Sequence, residues 1–128
     1  MALSNLKPPG QLIGAAIERS VQPGEDNDFH HWEERLFVQL DDKDGAHAVA
    51  LLTRAATDEH GAASDTLLVD LQNRMPDDTP DRQKLKFFEL RDILQRDAYW
   101  ELYEARGQRR YRFRLELLRR WWLRRHSA

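Results

Sequence analysis

The strongest constraint on the fold of this chain is a change in hydrophobic period close to residue 98. Before that point, apolar residues recur at the spacing of an α-helix over several separate segments. Beyond it, apolar and polar residues alternate over 100–103, a turn sequence follows over 105–108, and the alternation resumes over 111–115. Alternation on both sides of a short turn predicts a β-hairpin with one apolar face. The chain is therefore expected to combine helices with a small sheet.

Helical spacing and terminal signals place the helices. They are predicted over 11–19, 29–40, 44–56, 65–75, 80–96 and 115–126. Thr79, Pro80 and Asp81 are a start signal, because threonine caps a helix, proline suits the first turn and aspartate favours the positive end of the helix dipole. Ser64 or Asp65 is predicted to cap the helix that begins there.

Three helices followed by a two-stranded hairpin are typical of a winged-helix domain. The predicted fold is α+β and mostly helical, with a core of 44–56, 65–75 and 80–96 and a wing over 100–115. A further helix precedes this core and another follows the wing. The alternative is a plain helical bundle in which 99–115 stays irregular. We predict a winged-helix domain over 29–126, preceded over 1–28 by a linker and a short helix.

Composition excludes several classes of function. The chain has no cysteine, which rules out disulfides, thiolate zinc sites, iron–sulfur clusters and cysteine nucleophiles. No serine has the glycine-flanked turn of a hydrolase nucleophile. His30 and Glu34 have a spacing that can hold zinc, but no third ligand is visible. We therefore predict a binding protein rather than an enzyme, with no metal, cofactor or small-molecule substrate.

Apolar runs in the chain are only a few residues long, whereas roughly 20 residues are needed to cross a bilayer. The first twenty residues lack the apolar core of a signal peptide. We expect a cytoplasmic protein with no membrane contact.

Charge is segregated along the sequence. Residues 1–104 carry 11 basic and 21 acidic side chains, whereas 105–128 carry nine arginines and Glu116 as the one acidic residue. Such asymmetry indicates an anionic partner. The alternative is that the surplus carboxylates pair with the arginines inside the fold. The sequence leaves both possibilities open.

Residues around the hairpin also suggest a family. The segments 94–99, 111–115 and 117–122 resemble the C-terminal winged-helix domain of prokaryotic P-loop ATPases of the AAA and STAND type. Upstream, 29–36 is similar to the segment that precedes that domain, and 11–14 is similar to the last helix of the ATPase lid.

The match has departures. The family has glycine where this chain has Ala98, and an acidic residue where it has Arg120. No Gly-x-x-x-x-Gly-Lys-Ser/Thr sequence occurs, so the phosphate-binding loop of an ATPase is absent. The resemblance implies a winged-helix fold and a place beside an ATPase module, with no hydrolysis of nucleotide by this chain alone.

A winged helix that binds DNA lays its third helix in the major groove and contacts the backbone with its wing. The residue types suited to phosphates and base edges are Arg82, Gln83, Lys84 and Lys86 on the predicted third helix and Arg106, Arg109 and Arg110 at the wing. Asp77, Asp78 and Asp81 would be repelled by phosphate. The alternative is therefore a solvated helix with salt-bridged neighbours.

Tryptophan suggests a second role. Trp121 and Trp122 are adjacent, and two neighbouring residues of one helix do not both point straight inward. An exposed tryptophan beside Arg125 would suit a protein interface, with a second copy of the chain or the ATPase module as partner. The alternative is that both tryptophans belong to the core.

Overall fold

A computed structural model of the protein describes residues 23–105 and 107–126. This part of the chain is mixed α+β and mostly helical, with five helices and three strands. The elements are α1 (Pro23–Gln39), α2 (Asp42–Ala56), β1 (Ala62–Ala63), α3 (Ser64–Arg74), α4 (Pro80–Arg96), β2 (Trp100–Ala105), β3 (Gln108–Phe113) and α5 (Glu116–His126). The predicted hairpin and helix over 80–96 are confirmed, and the plain helical bundle is excluded. The predicted helix over 11–19 lies outside the described residues.

The sheet is antiparallel, with strand order β1-β3-β2. In the hairpin, Trp100 faces Phe113 and Ala105 faces Gln108. β1 pairs with the other side of β3, where Ala62 faces Tyr111. The hairpin is therefore joined to the helical core through its second strand, and this arrangement is compatible with a winged-helix-like fold.

Gly61 permits this junction. Its φ is +80°, a left-handed conformation that favours glycine. A Cβ atom at this position would lie 2.1 Å from the backbone oxygen of Tyr111. Only a residue without a side chain lets the chain approach β3 so closely.

Of the two predicted helix caps, one is confirmed and one is wrong. Thr79 caps α4, because its Oγ1 accepts a hydrogen bond from the Arg82 amide at 3.2 Å. The predicted cap of α3 is wrong: Ala63 occupies the cap position without a side-chain bond, because β1 ends there and both Ser64 and Asp65 already belong to the helix.

The core lies between the helices and one face of the sheet. Its largest fully buried side chains include Tyr99, Trp100 and Trp122. The Tyr99 hydroxyl donates to the Trp32 carbonyl oxygen of α1, and burial raises the pKa of Tyr99 to about 12. The residues at the start of the hairpin therefore also hold α1 in place.

A buried histidine links α2 to α3. His47 is 4% exposed, and its Nδ1 accepts a hydrogen bond from Arg74 Nε at 3.0 Å. Its Nε2 is buried without a hydrogen-bond partner. Burial, followed by the positive charge of Arg74, lowers the pKa of His47 below 6.5. If Nδ1 were protonated, its N–H would face the N–H of Arg74 and the hydrogen bond would be lost.

This arrangement predicts that the protein loses stability in mild acid. Between pH 6.5 and the lowered pKa of His47, the unfolded state binds a proton that the folded state does not. His47 therefore contributes its full stabilisation above pH 6.5, and the contribution is lost as the pH falls through the folded-state pKa, at up to about 1.4 kcal/mol per pH unit. Urea unfolding across this range measures it.

His47→Asn is the control, because the asparagine oxygen retains an acceptor for Arg74 but does not titrate. Its free energy of unfolding should fall less between pH 7.5 and pH 5 than that of the unchanged protein. An equal fall in both proteins would contradict the assignment.

Candidate nucleic-acid interface

Two of the predicted contact residues on α4 are accessible. Arg82 and Lys84 are both exposed. In the part of the chain that the structure describes, neither side chain contacts an acidic group. Two positions along a helix correspond to a rotation of about 200°, so these cations lie on opposite flanks of its exposed surface.

The other two candidates on α4 have structural roles. Gln83 is 8% exposed, and its Nε2 donates to the Met75 carbonyl oxygen at 2.7 Å. It fastens the turn between α3 and α4, so its assignment to a nucleic-acid contact is corrected. Lys86 Nζ lies 2.8 Å from Asp44 and 3.2 Å from Glu89. The hydrogen bond to Asp44 raises the pKa of Lys86, and the pair holds α4 against α2.

At the hairpin, the three predicted arginines differ in their contacts. Arg110 donates to the carbonyl oxygens of His60 at 3.1 Å and Gly61 at 2.7 Å. It therefore supports the loop before β1, and its role in a nucleic-acid contact stays a prediction. Arg109 has a side chain 61% exposed, with Glu104 at 3.7 Å. Arg106 lies outside the described residues.

Arg109 lies near the start of α3. A cavity of about 190 Å³ is lined by residues of the hairpin turn and by the first residues of α3, and these are Ala63, Ser64, Asp65, Gly107, Gln108 and Arg109. The first amides of α3 have no side-chain cap. Uncapped amides at a helix N-terminus favour anions, although Asp65 places a negative charge at the same spot.

Several arginines of the basic C-terminal segment are matched internally. Arg112 Nε lies 2.9 Å from Glu101, its partner across the hairpin. Arg119 contacts Glu116 at 2.8 Å and also donates to the Ala56 carbonyl oxygen. The hydrogen bond from Arg119 lowers the pKa of Glu116. At these positions, the excess of positive charge in the C-terminal segment is offset by carboxylates that the fold brings close to the arginines.

Arg125, predicted as an interaction residue, fastens α5 to α1. Its Nε lies 3.0 Å from Glu33, and the same carboxylate contacts His126 at 2.9 Å. The Arg125 guanidinium thus has a structural partner, with 42% of its side chain still exposed.

Both adjacent tryptophans are buried. Trp122 is 0% exposed, and its Nε1 donates to Thr53 Oγ1 of α2 at 3.1 Å. Trp121 is 4% exposed and contacts the rings of Phe29 and His30 on α1. Because α5 has α2 on one side and α1 on the other, Trp121 and Trp122 are both buried but pack against different helices. A partner therefore cannot contact Trp122 in this fold, which corrects its proposed role as a docking residue.

Sequence reasoning missed two exposed apolar residues of α4. Leu85 is 58% exposed and Phe88 is 45% exposed, both on α4. The Arg91 guanidinium lies 4.9 Å from the centre of the Phe88 ring. The sequence contains a signal for this exposure, because Phe87 is buried and the next residue of the helix must point about 100° away from it.

The described residues hold neither a metal-binding group nor a membrane-spanning helix. Within residues 23–105 and 107–126, no three acidic or histidine side chains come together as a metal-binding group. No helix there combines the length and the apolar character that a bilayer crossing requires. Comparisons with protein-family models, curated proteins and solved structures found no match.

Proposed function

We propose that this protein is a winged-helix domain. The order α2, β1, α3, α4, β2, β3 supports the assignment, because a short strand between the first two core helices pairs with the last strand of the hairpin. In this assignment α4 is the third core helix and the hairpin is the wing. Membership of the C-terminal domains of P-loop ATPases stays a prediction.

We further propose that α4 and the hairpin bind nucleic acid through its phosphate backbone. The observation that carries this proposal is the exposure of Arg82 and Lys84, which contact no acidic side chain among the described residues, whereas many other cations of the fold are paired. Cations on two flanks of one helix suit a groove with phosphates on both walls. Arg109 on the hairpin provides a third contact.

Nearby acids limit the strength of this binding. Asp77 and Asp81 lie close to Arg82 in the sequence and are exposed, so phosphate is repelled at the start of α4. With about three phosphate contacts, the logarithm of the binding constant should fall against the logarithm of salt concentration with a slope of about −3. We expect weak, backbone-directed binding with little dependence on base sequence.

Fluorescence anisotropy of a labelled DNA duplex, measured from 50 to 200 mM salt, tests the proposal. The triple variant Arg82→Ala, Lys84→Ala and Arg109→Ala should lose most of the affinity and most of the salt slope, because each removed contact lowers the slope by about 1. Lys43→Ala is the control, since Lys43 is an exposed cation on α2.

Binding that is undetectable at 50 mM salt would contradict the proposal. So would a triple variant with the same salt slope as the unchanged protein. Equal losses in the triple variant and in Lys43→Ala would indicate a general charge effect instead of a defined surface.

Protein interaction is a second candidate function, and the exposed apolar residues of α4 favour it. Large apolar side chains on a helix surface mark contact sites when they lie together. Leu85 and Phe88 are three positions apart and therefore lie on the same side of α4. We therefore propose α4, and not the buried Trp122, as the candidate interaction surface.

A further inference from the structure

The exposed surface of α4 has a row of three residues at intervals of four. Lys84, Phe88 and Asp92 lie one above another along the helix. Phe88 is 45% exposed, Lys84 is exposed, and the Asp92 side chain is 66% exposed. The row therefore has an aromatic residue at its centre, a positive charge one turn before it and a negative charge one turn after it.

Such a row is complementary to itself. When two identical helices cross antiparallel at Phe88 about a two-fold axis with these rows aligned, each residue of the row before Phe88 faces the residue of the row equally far after it on the other copy. Lys84 of each copy then faces Asp92 of the other, and the two Phe88 rings meet at the axis. Opposite charges meet at both ends of the contact.

The flanking positions fit the same arrangement. Leu85 lies beside the row and would meet Leu85 of the other copy, because the two-fold axis keeps a flanking residue on the same side of the contact. On the other side of the row, the Arg91 guanidinium lies over the Phe88 ring at 4.9 Å. Asp92 contacts Arg91 of its own chain at 2.9 Å, and a carboxylate can accept further hydrogen bonds from a lysine.

We infer that the exposed surface of α4 docks a second copy of this chain, antiparallel and centred on Phe88. Charge complementarity identifies the partner, because the row of Lys84, Phe88 and Asp92 is complementary to the same row on a second copy. Phe88 at its centre supplies the apolar contact. This names a partner for the protein-interaction candidate and does not depend on nucleic-acid binding. Because the dimer covers Lys84, a second copy of the chain and nucleic acid would compete for the same surface of α4.

Sedimentation equilibrium of the whole chain over a range of concentrations tests the inference. The weight-average mass should rise with concentration from 15.1 kDa toward twice that value. Phe88→Ser should keep the mass at that of the monomer, because it removes the centre of the contact. Its helix content by circular dichroism should be unchanged, since Phe88 is a surface residue.

Charge exchange tests the register. Lys84→Asp alone should raise the dissociation constant of the dimer at least about tenfold, because two attractive contacts become repulsive. Asp92→Lys alone should do the same. The double variant should restore association, since the exchanged charges again face each other across the axis, and within one chain they are two turns apart and do not touch. Lys43→Asp, on α2, should leave the dissociation constant unchanged.

A mass that stays at the monomer value at every concentration would overturn the inference. Association that survives Phe88→Ser, or that the double exchange does not restore, would overturn this geometry. Phe88→Ser keeps Arg82, Lys84 and Arg109, so this monomeric variant should still bind the duplex. Loss of the dimer and loss of nucleic-acid binding are therefore distinct results.

Discussion

Gly61→Ala is expected to destabilise the protein by about 4 kcal/mol, near the upper end for a single substitution. A left-handed backbone costs a residue with a Cβ atom about 1–2 kcal/mol. In addition, the new Cβ would lie 2.1 Å from the Tyr111 oxygen, so β1 and β3 must separate to accommodate it. Chemical denaturation monitored by tryptophan fluorescence measures the loss.

Gly107→Ala provides a matched comparison. Gly107 in the hairpin turn also has a positive φ, of +74°, but a Cβ there would meet nothing within 4 Å. Its cost should therefore be limited to about 1–2 kcal/mol for the backbone conformation. Equal losses in the two variants would mean that the approach of Gly61 to β3 is not the source of the effect.

Trp122→Ala is expected to cost about 3–5 kcal/mol. The Trp122 side chain is completely buried, and its ring lies 5.8 Å from that of Phe113 on β3. Its removal opens a cavity where α5, α2 and the sheet meet. Because natural domains are stable by only about 5–15 kcal/mol, a large part of the total would be lost, as urea unfolding will measure.

Thr53→Val separates the hydrogen bond of Trp122 from its volume. This change keeps the side chain of α2 at nearly the same size but removes the acceptor of the indole N–H. We expect a smaller loss of about 1–3 kcal/mol, the cost of a buried donor without a partner. A loss in Thr53→Val that equals the loss in Trp122→Ala would assign the effect to the hydrogen bond alone.

The long elements were predictable because their signals are local. The helix over 80–96 begins at a threonine cap and has a regular apolar row, so its predicted bounds agree with α4. The hairpin is visible as a change of period, and Arg112 pairs with Glu101 across its two strands. In both cases the residues that determine the structure lie within a few positions of one another.

Long-range contacts were not predictable from one sequence. β1 consists of two alanines, which carry no period, and it exists because Ala62 pairs with Tyr111 almost fifty residues later. The carbonyl contacts of Arg110 depend on the same junction. The sequence indicates that an arginine is present, whereas its availability for a ligand depends on which backbone oxygens the fold brings near it.

Among the described residues, β2 forms one edge of the sheet, and no strand there pairs with the backbone amides and carbonyls on its outer side. An open edge of this kind can recruit strands from other molecules and start aggregation. The charged side chains of Glu101 and Glu104 on this strand oppose such recruitment, because an identical strand would bring like charges together. These two carboxylates should therefore lower the tendency of the β2 edge to pair with strands of other molecules.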